Sequence, residues 1–184
     1  MKKGNPAVVG LAGFGMTTLL LQLHNLGLVG WGPVISLGLI FGGLAQMIAG
    51  FQEQKMGNNF GYSAFVSFGA FWIGLSIIKL FNHYGVYASS THDIGFYLLG
   101  WALYTSIMFV ASLRVHKAMT FTFGTLLIGF ILLVLEHFYF PQLKAIAAIE
   151  LIICAFAAWY MMAGIIINDL AGKTVLPMGE KFVK

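Results

Sequence analysis

Charge is what this sequence has least of. Asp, Glu, Lys and Arg make up 9% of its 184 residues, whereas an ordinary globular domain carries about 25%. A chain of this composition cannot cover a water-exposed surface, which excludes a soluble enzyme and a disordered tail. Its ten Lys and Arg residues form no basic run, so the sequence indicates no nucleic-acid partner.

The residue clusters that carry catalytic chemistry are also missing. The single cysteine, Cys154, lies inside an apolar stretch, so it can form no internal disulfide and has no metal-ligand spacing. We find no Ser/His/Asp set, no paired-carboxylate site, no His-rich cluster and no phosphate-binding loop. The sequence therefore predicts no catalytic residue, no metal, no cofactor and no enzymatic activity.

Long apolar segments are what the chain does have. Hydrophobic residues make up 59% of it, and crossing the hydrocarbon core of a bilayer takes roughly 17–25 apolar residues in a helix. Six segments qualify, at about 7–30, 33–51, 60–81, 94–113, 118–140 and 145–168. We therefore predict an all-α, polytopic membrane protein, with residues 1–184 forming one six-helix domain in the lipid bilayer.

The distribution of Lys and Arg predicts the orientation. Six spans place both termini and two of the loops on one face of the membrane. That face carries eight cations: Lys2, Lys3, Lys55, Arg114, Lys117, Lys173, Lys181 and Lys184. The opposite face carries Lys79 and Lys144. The positive-inside rule then predicts that both termini are cytoplasmic, in a prokaryotic inner membrane.

Glycine is abundant, with 23 residues. Gly38 and Gly42 form a GxxxG pair in the second segment, and further glycines crowd the start of the first. Small residues at this spacing let helices approach closely in lipid. They fit two interpretations equally well, namely tight packing within one subunit and contacts between subunits of an oligomer.

Asn5 and Pro6 indicate where the first helix begins. Asn is favoured as an N-cap and Pro at the first helical position. The free N–H groups of a helix N-terminus form a seat for an anion, which makes Asn5 a candidate substrate-binding residue. A plain cap at the membrane surface is the other interpretation.

The first segment has one polar face. Within an arc of roughly 160° at 100° per residue lie Phe14, Thr17, Thr18, Gln22, His24 and Asn25. Polar residues within a span usually face the bundle interior or a water-filled path. Thr17 and Thr18 are therefore candidate substrate-binding residues, although hydrogen bonds between helices would explain them as well.

In the second segment, Gln46 and Glu53 lie two helical turns apart on one face. We expect Gln46 to bind substrate inside the membrane. Glu53 can either line a vestibule at the inner end or form an ion pair with Lys55.

Several motifs resemble those of the acetate uptake transporter family, particularly its short prokaryotic members. They are NPAVVGL at 5–11, GFGMTT at 13–18, LHN at 23–25, GGLAQ at 42–46, GN at 57–58 and GKTVLPMG at 172–179. The resemblance covers essentially the whole chain. It implies six transmembrane helices per subunit, a homo-hexameric ring and a separate path through each subunit. It also implies transport of acetate, with succinate as a further substrate and protons moving with or alongside them.

The same resemblance implies an apolar constriction midway along the path. The matching positions here are Phe14, Phe68 and Leu126. Phe68 stands where the family commonly has Tyr, and Val8 replaces the second Pro of the usual N-terminal motif. A constriction made of apolar side chains selects by size and by dewetting.

Two other functions remain open at this point. One is a non-transporting membrane scaffold, in which the glycines serve oligomerisation alone. The other is a channel for small neutral solutes such as urea or ammonia. The polar face of the first segment favours a transporter or channel over a scaffold. Whether transport is channel-like or strictly coupled to protons is equally open.

Overall fold

The computed structural model describes residues 4–183, and this part of the chain contains helices and no strands. The helices are α1 (Ala7–Asn25), α2 (Trp31–Lys55), α3 (Asn59–Tyr84), α4 (Thr91–Ser112), α5 (Lys117–Phe138) and α6 (Lys144–Ala171). A short 3-10 helix, Pro141–Leu143, continues into α6, and all six spans are long and apolar enough to cross a bilayer. The predicted fold class is confirmed, and the chain is a multi-pass membrane protein.

The observed helix ends differ from the expected ones for local reasons. α1 ends at Asn25 rather than at residue 30, because Gly27 adopts a φ of +80° and the chain turns there. α2 continues to Lys55 rather than to residue 51, because the face that carries Glu53 is still buried. Lys2, Lys3 and Lys184, which support the predicted orientation, lie outside the described residues. The cytoplasmic location of both termini stays a prediction.

The six helices form a closed ring. Each helix packs against its neighbours in the chain, and α6 packs along α1 and completes the circle. Aromatic side chains fill the centre, where the ring of Phe68 in α3 lies 6.1 Å from that of Phe123 and 6.5 Å from that of Phe130, both in α5. The axis of the bundle is therefore filled by side chains and not by a helix.

A π-helical segment, Ile40–Ala45, interrupts α2. It contains Gly42 and Gly43, which lie so close to α1 and α3 that a side chain would collide. A Cβ atom at Gly42 would lie 2.6 Å from Cβ of Thr17, and one at Gly43 would lie 2.6 Å from Cγ1 of Ile73. π-helical turns within α-helices are frequent at functional sites. Here the segment ends directly before Gln46.

The GxxxG glycines of α2 and the glycines at the start of α1 pack within the subunit. A Cβ at Gly38 would lie 3.3 Å from the carbonyl oxygen of Trp72, and one at Gly10 would lie 2.7 Å from the ring of Phe65. The GxxxG pair therefore brings α2 against α3 and α1 of the same chain. This favours packing within one subunit over contacts between subunits as the role of these glycines.

The C-terminal segment folds back over the end of the bundle. The side chain of Asn168 accepts hydrogen bonds from the amides of Val175 (2.7 Å) and Leu176 (2.9 Å) and donates one to the carbonyl of Leu176. The amide of Ala118 at the start of α5 then donates to the carbonyl of Met178. The GKTVLPMG motif thus ties the ends of α5 and α6 together.

Candidate functional site

A cavity of about 60 Å³ lies inside the ring of helices, and we call it the central cavity. Its walls are Ala7, Leu11, Phe14, Gln46, Asn58, Phe60, Gly61, Ala64, Phe65, Phe68, Met119, Thr122, Phe123, Leu126 and Met161. Three of these side chains, Gln46, Asn58 and Thr122, are polar. The cavity can hold a few water molecules or a small molecule that is mostly apolar and has one polar group.

Phe14, Phe68 and Leu126 all lie on this wall, contributed by three different helices. Their exposed fractions are 7%, 3% and 5%. The rings of Phe14 and Phe68 make an edge-to-face contact with centroids 6.0 Å apart. The structure therefore brings the three side chains together inside the bundle and away from the lipid.

The two glycines beside Phe14 determine where its ring lies. A Cβ at Gly13 would lie 3.0 Å from the carbonyl carbon of Phe41, and one at Gly15 would lie 2.6 Å from Nε1 of Trp159. α1 consequently packs closely against both α2 and α6. The ring of Phe14, which lies between these two close contacts, is directed toward the bundle axis.

The ring of Phe68 is surrounded by other aromatic rings. Trp101 and Tyr104 of α4 have centroids 5.9 Å and 5.7 Å away, and those of Phe123 and Phe130 of α5 lie at 6.1 Å and 6.5 Å. Edge-to-face and offset contacts of this kind stabilise one ring orientation. The sequence predicted Phe68 but not these neighbours, because any one of the 17 Phe residues is by default a core or lipid-facing residue.

Thr17 and Thr18 are buried, with 0% and 3% of their surface exposed, and neither lies on the wall of the central cavity. Within the described part of the chain, neither hydroxyl has a hydrogen-bond partner. Other buried threonines behave differently: Thr105 donates to the carbonyl of Trp101 at 2.7 Å, and Thr122 to that of Ala118 at 2.9 Å. The two hydroxyls of α1 are therefore donors that the fold leaves free.

Gln46 is 1% exposed and lies on the wall of the central cavity. Its Oε1 has no partner among residues 4–183. A buried amide oxygen without a partner loses its hydration and receives no hydrogen bond in return. A ligand in the cavity that offers an O–H or N–H group would supply that bond.

Glu53 bonds to Asn58 rather than to Lys55. Its exposed fraction is 3%, and its Oε2 accepts a hydrogen bond from Nδ2 of Asn58 at 2.6 Å. The oxygen of the same Asn58 side chain accepts from the amide of Gly61 and caps α3. Asn58 lines the central cavity and Glu53 lies behind it, so the carboxylate acts on the cavity through Asn58. The GN motif at 57–58 is the feature of the sequence that could have identified Asn58 as a site residue.

Asn5 does not line the central cavity. Its side chain is exposed, and its Oδ1 accepts a hydrogen bond from the amide of Ala7 at 2.9 Å. It lies near Gln52 and Lys55 in an open depression at the surface. This is the geometry of a plain helix cap. Among the residues that the structure describes, no three His, Cys, Asp or Glu side chains are grouped to hold a metal ion.

Comparison with known proteins gives one consistent result. The model of the family described as GPR1/FUN34/yaaH matches residues 1–178. The succinate-acetate/proton symporter SatP of Escherichia coli (strain K12) is 39% identical over 182 residues, which are 97% of each chain. Ammonia transport outward protein 2 of Saccharomyces cerevisiae is 34% identical over 86% of this chain and 60% of its own. A solved structure of the bacterial acetate channel SatP superposes with a TM-score of 0.92, at 38% identity, over 97% of this chain and all of the other.

Proposed function

The chain belongs to the GPR1/FUN34/yaaH family, and we propose that it is a membrane transporter or channel for acetate and related small carboxylates such as succinate. Membership confirms the resemblance to acetate uptake transporters. Two similar proteins that each match 97% of this chain support the choice of substrate. One is named for succinate and acetate, and the other is named for acetate. It also draws on the chemistry of the bundle interior.

One observation carries the proposal. The central cavity combines the apolar side chains of Phe14, Phe68 and Leu126 with the unpartnered Oε1 of Gln46. The unpartnered hydroxyls of Thr17 and Thr18 are buried one turn beyond Phe14 in α1, outside the wall of that cavity. Acetate has the same two parts, a methyl group and a carboxylate. The threonine hydroxyls can donate hydrogen bonds to the carboxylate oxygens, while the methyl group passes the apolar side chains.

The interior also supports movement of a proton with the substrate. Taking a charged carboxylate into an apolar constriction without partners costs far more than taking a neutral acid. The protonated acid also has an O–H donor, which the unpartnered Oε1 of Gln46 can accept. Substrate and proton would then cross the constriction together as the neutral acid.

We assign the chain to a prokaryotic inner membrane, with both termini in the cytoplasm, as a homo-hexamer with one path per subunit. The charge count supports the orientation. The buried glycines of α1 and α2 pack within the subunit, so contacts between subunits must come from other residues. The mass of the purified complex in a mild detergent tests the hexamer.

Uptake of labelled acetate into proteoliposomes tests the function. We expect saturable uptake that unlabelled succinate reduces and that a pH gradient, acid outside, increases. A channel for small neutral solutes is the second candidate, because one relative is named for ammonia transport. Uptake that ammonium or urea abolishes, or ammonium flux without acetate flux, would replace the proposal by that candidate.

A further inference from the structure

Glu150 is the acidic residue that lies furthest inside a membrane-spanning helix. The chain has six Asp and Glu residues. Glu180 belongs to the C-terminal segment, and four others lie within two residues of a helix end, namely Glu53, Asp93, Glu136 and Asp169. Glu150 lies six residues after the first residue of α6, which is about 9 Å at 1.5 Å per residue. Ionisable residues at such a depth are rare, and they commonly belong to proton or ion pathways.

The carboxyl group of Glu150 lies in the contact between α6 and α5. Both of its oxygens are buried, and neither has a hydrogen-bond partner among residues 4–183. Opposite it, α5 has Gly129, where an added Cβ would lie 2.8 Å from Oε2 of Glu150 and 2.5 Å from Cγ of Leu151. The missing side chain of Gly129 therefore makes the space that the carboxyl group occupies, and the leucine beside it is apolar.

The other charged groups near this end of the bundle gather elsewhere. α1 and α5 pack along α6, and the charge count predicts that this end is the outer one. A second cavity there, of about 130 Å³, has a lining that includes His24, Lys79, Glu136, His137 and Lys144. Glu136 contacts His137, and Glu150 does not lie on the wall of this cavity. These groups therefore leave the carboxyl group of Glu150 without a counter-charge in contact.

The thiol of Cys154 lies one turn further along α6, and it also bonds elsewhere. It donates a hydrogen bond to the carbonyl oxygen of Thr122 in α5 at 3.4 Å. The hydroxyl of Thr125 donates to the carbonyl oxygens of Phe121 and Thr122, both at 3.0 Å. The backbone of α5 thus takes the donors that α5 and α6 offer at this level, and the carboxyl group receives none of them.

We propose that Glu150 is a proton-binding site, which holds a proton in the contact between α5 and α6. An ionised carboxylate without partners is far more costly in apolar surroundings than the neutral acid is. The side chain as a whole is half-buried, and water at the outer surface exchanges the proton with it. The O–H bond of the carboxyl group is the bond that forms and breaks.

Gly129 connects this site to the proposed path, so this step rests on the proposed function. On the buried face of α5 it lies between Leu126, on the wall of the central cavity, and Leu133, on the wall of the second cavity. Leu126 precedes it by three residues, about 4.5 Å along the helix. A neutral carboxyl group fits against Gly129, whereas an ionised one moves toward water and gives up this contact. The position of Leu126 then depends on the proton at Glu150.

The pH dependence of acetate uptake by Glu150→Gln tests this link. Gln has the length and polarity of the neutral acid and does not ionise. Initial rates are measured in proteoliposomes with the same pH on both sides, between about pH 5 and 9, where buried carboxyl groups titrate. The protonation of acetate itself cancels in the ratio of the variant rate to the wild-type rate. We expect this ratio to rise with pH by about fivefold or more, the lower end of typical coupling between two sites, because only the wild type loses its proton.

Glu180→Gln is the matched control. It makes the same substitution at an exposed carboxylate of the C-terminal segment, where water solvates the ionised form. Its ratio to the wild type should stay constant over the whole pH range. All three proteins are compared at equal membrane abundance.

Infrared spectroscopy detects the proton without transport. At neutral pH the wild type in lipid should show the carbonyl stretch of a protonated carboxyl group. The band should disappear as the pH is raised, be absent from Glu150→Gln and persist in Glu180→Gln. If it behaves in this way but the wild type takes up no acetate, the proposed function fails and the proton site stands.

Two results would overturn the inference. One is a carboxyl band that is the same in Glu150→Gln and in the wild type, which would mean that Glu150 holds no proton. The other is a ratio of Glu150→Gln to wild-type uptake that is constant or falls as the pH rises, in preparations that take up acetate. That result would separate Glu150 from transport.

Discussion

The rings of Phe14 and Phe68 meet edge to face with their centroids 6.0 Å apart. Phe14 comes from α1, between two glycines that bring the helix against its neighbours, and Phe68 comes from α3 inside a group of aromatic rings. Leu126 of α5 lies on the same cavity wall. Two rings with fixed orientations and one smaller side chain make the narrow part of the proposed path. Leu126 is therefore the position where the width can be changed with least disturbance.

The double substitution Thr17→Val with Thr18→Val should reduce acetate flux without harming the fold. Neither hydroxyl has a partner in the described structure, so the folded state loses no hydrogen bond. A substrate carboxylate would lose bonds worth about 0.5–1.5 kcal/mol each, and each lost bond corresponds to a roughly twofold to tenfold lower flux at low acetate. Uptake and thermal unfolding are measured together.

Thr105→Val is the matched control for the threonine variant. It removes a bond to the carbonyl of Trp101 away from the central cavity, so it should lower stability and leave the specific uptake rate intact. If the Thr17/Thr18 variant transports acetate as well as the wild type does, these hydroxyls are not part of the path.

Gly42→Ala should destabilise the protein, because its Cβ would lie 2.6 Å from Cβ of Thr17. Overpacking of this kind costs about 1–3 kcal/mol. Gly100 in α4 is the control, since nothing lies within 4 Å of a Cβ built there. Gly100→Ala should gain about 0.5–1 kcal/mol, as expected for Gly inside a helix. Thermal unfolding in detergent compares the two; equal shifts would show that α1 and α2 are not in close contact.

Glu150→Met should stabilise the fold. Both carboxylate oxygens of Glu150 are buried and have no partner among residues 4–183. Leaving such a group without a partner costs about 1–3 kcal/mol, and Met has a similar length and no polar oxygen. Glu150→Gln keeps a polar group and should gain less. Melting temperatures in detergent test the order, and a lower value for Glu150→Met would mean that the carboxylate is bonded.

Acidification should weaken the start of α5. Nδ1 of His116 accepts a hydrogen bond from the amide of Met119 at 3.1 Å, and burial lowers the pKa of His116 below its ordinary value. The folded protein thus favours the neutral imidazole. Its contribution to stability is present above the ordinary pKa of about 6.5 and is lost as the pH falls from there toward the lower pKa of the folded state.

The His116→Asn variant isolates this effect, because Asn caps a helix and does not titrate. Thermal unfolding between about pH 7.5 and 5.5, around the ordinary histidine pKa, should show a smaller loss of stability for the variant than for the wild type. Parallel curves for the two proteins would assign the acid sensitivity to other groups.

The sequence predicted the six helices because long apolar runs without charge have few other structures available to them. It also predicted the burial of Thr17 and Thr18, since polar residues within a span usually face the interior of the bundle. It did not predict the π-helix. The residues around Gly42 are apolar on every face of the helix, so a wider turn changes no alternation of polar and apolar residues that could be seen in the sequence. The close contacts of its glycines became visible only with the neighbouring helices in place.

Contacts between distant parts of the chain were also beyond the sequence. In the sequence, Lys55 is the obvious partner for the carboxylate of Glu53. The partner in the structure is Asn58, because the turn before α3 brings its side chain to Glu53. Lys79 and Lys144 were counted for orientation, but their position in the lining of one cavity follows from how the six helices are arranged. Asn5 was correctly identified as a residue at the helix start, whereas its position outside the central cavity depends on the packing of the other helices.

The selectivity of Leu126→Ala tests the central claim, that Phe14, Phe68 and Leu126 form a size-selecting constriction. The substitution removes about three methyl-sized groups and adds no charge. Leu103→Ala on α4 is the control, because Leu103 is 62% exposed on the outside of the bundle. The quantity to measure is the ratio of lactate to acetate uptake in proteoliposomes. The account predicts a higher ratio in Leu126→Ala, with acetate uptake equal or greater, and an unchanged ratio in Leu103→Ala. The same ratio in Leu126→Ala and the wild type would contradict it.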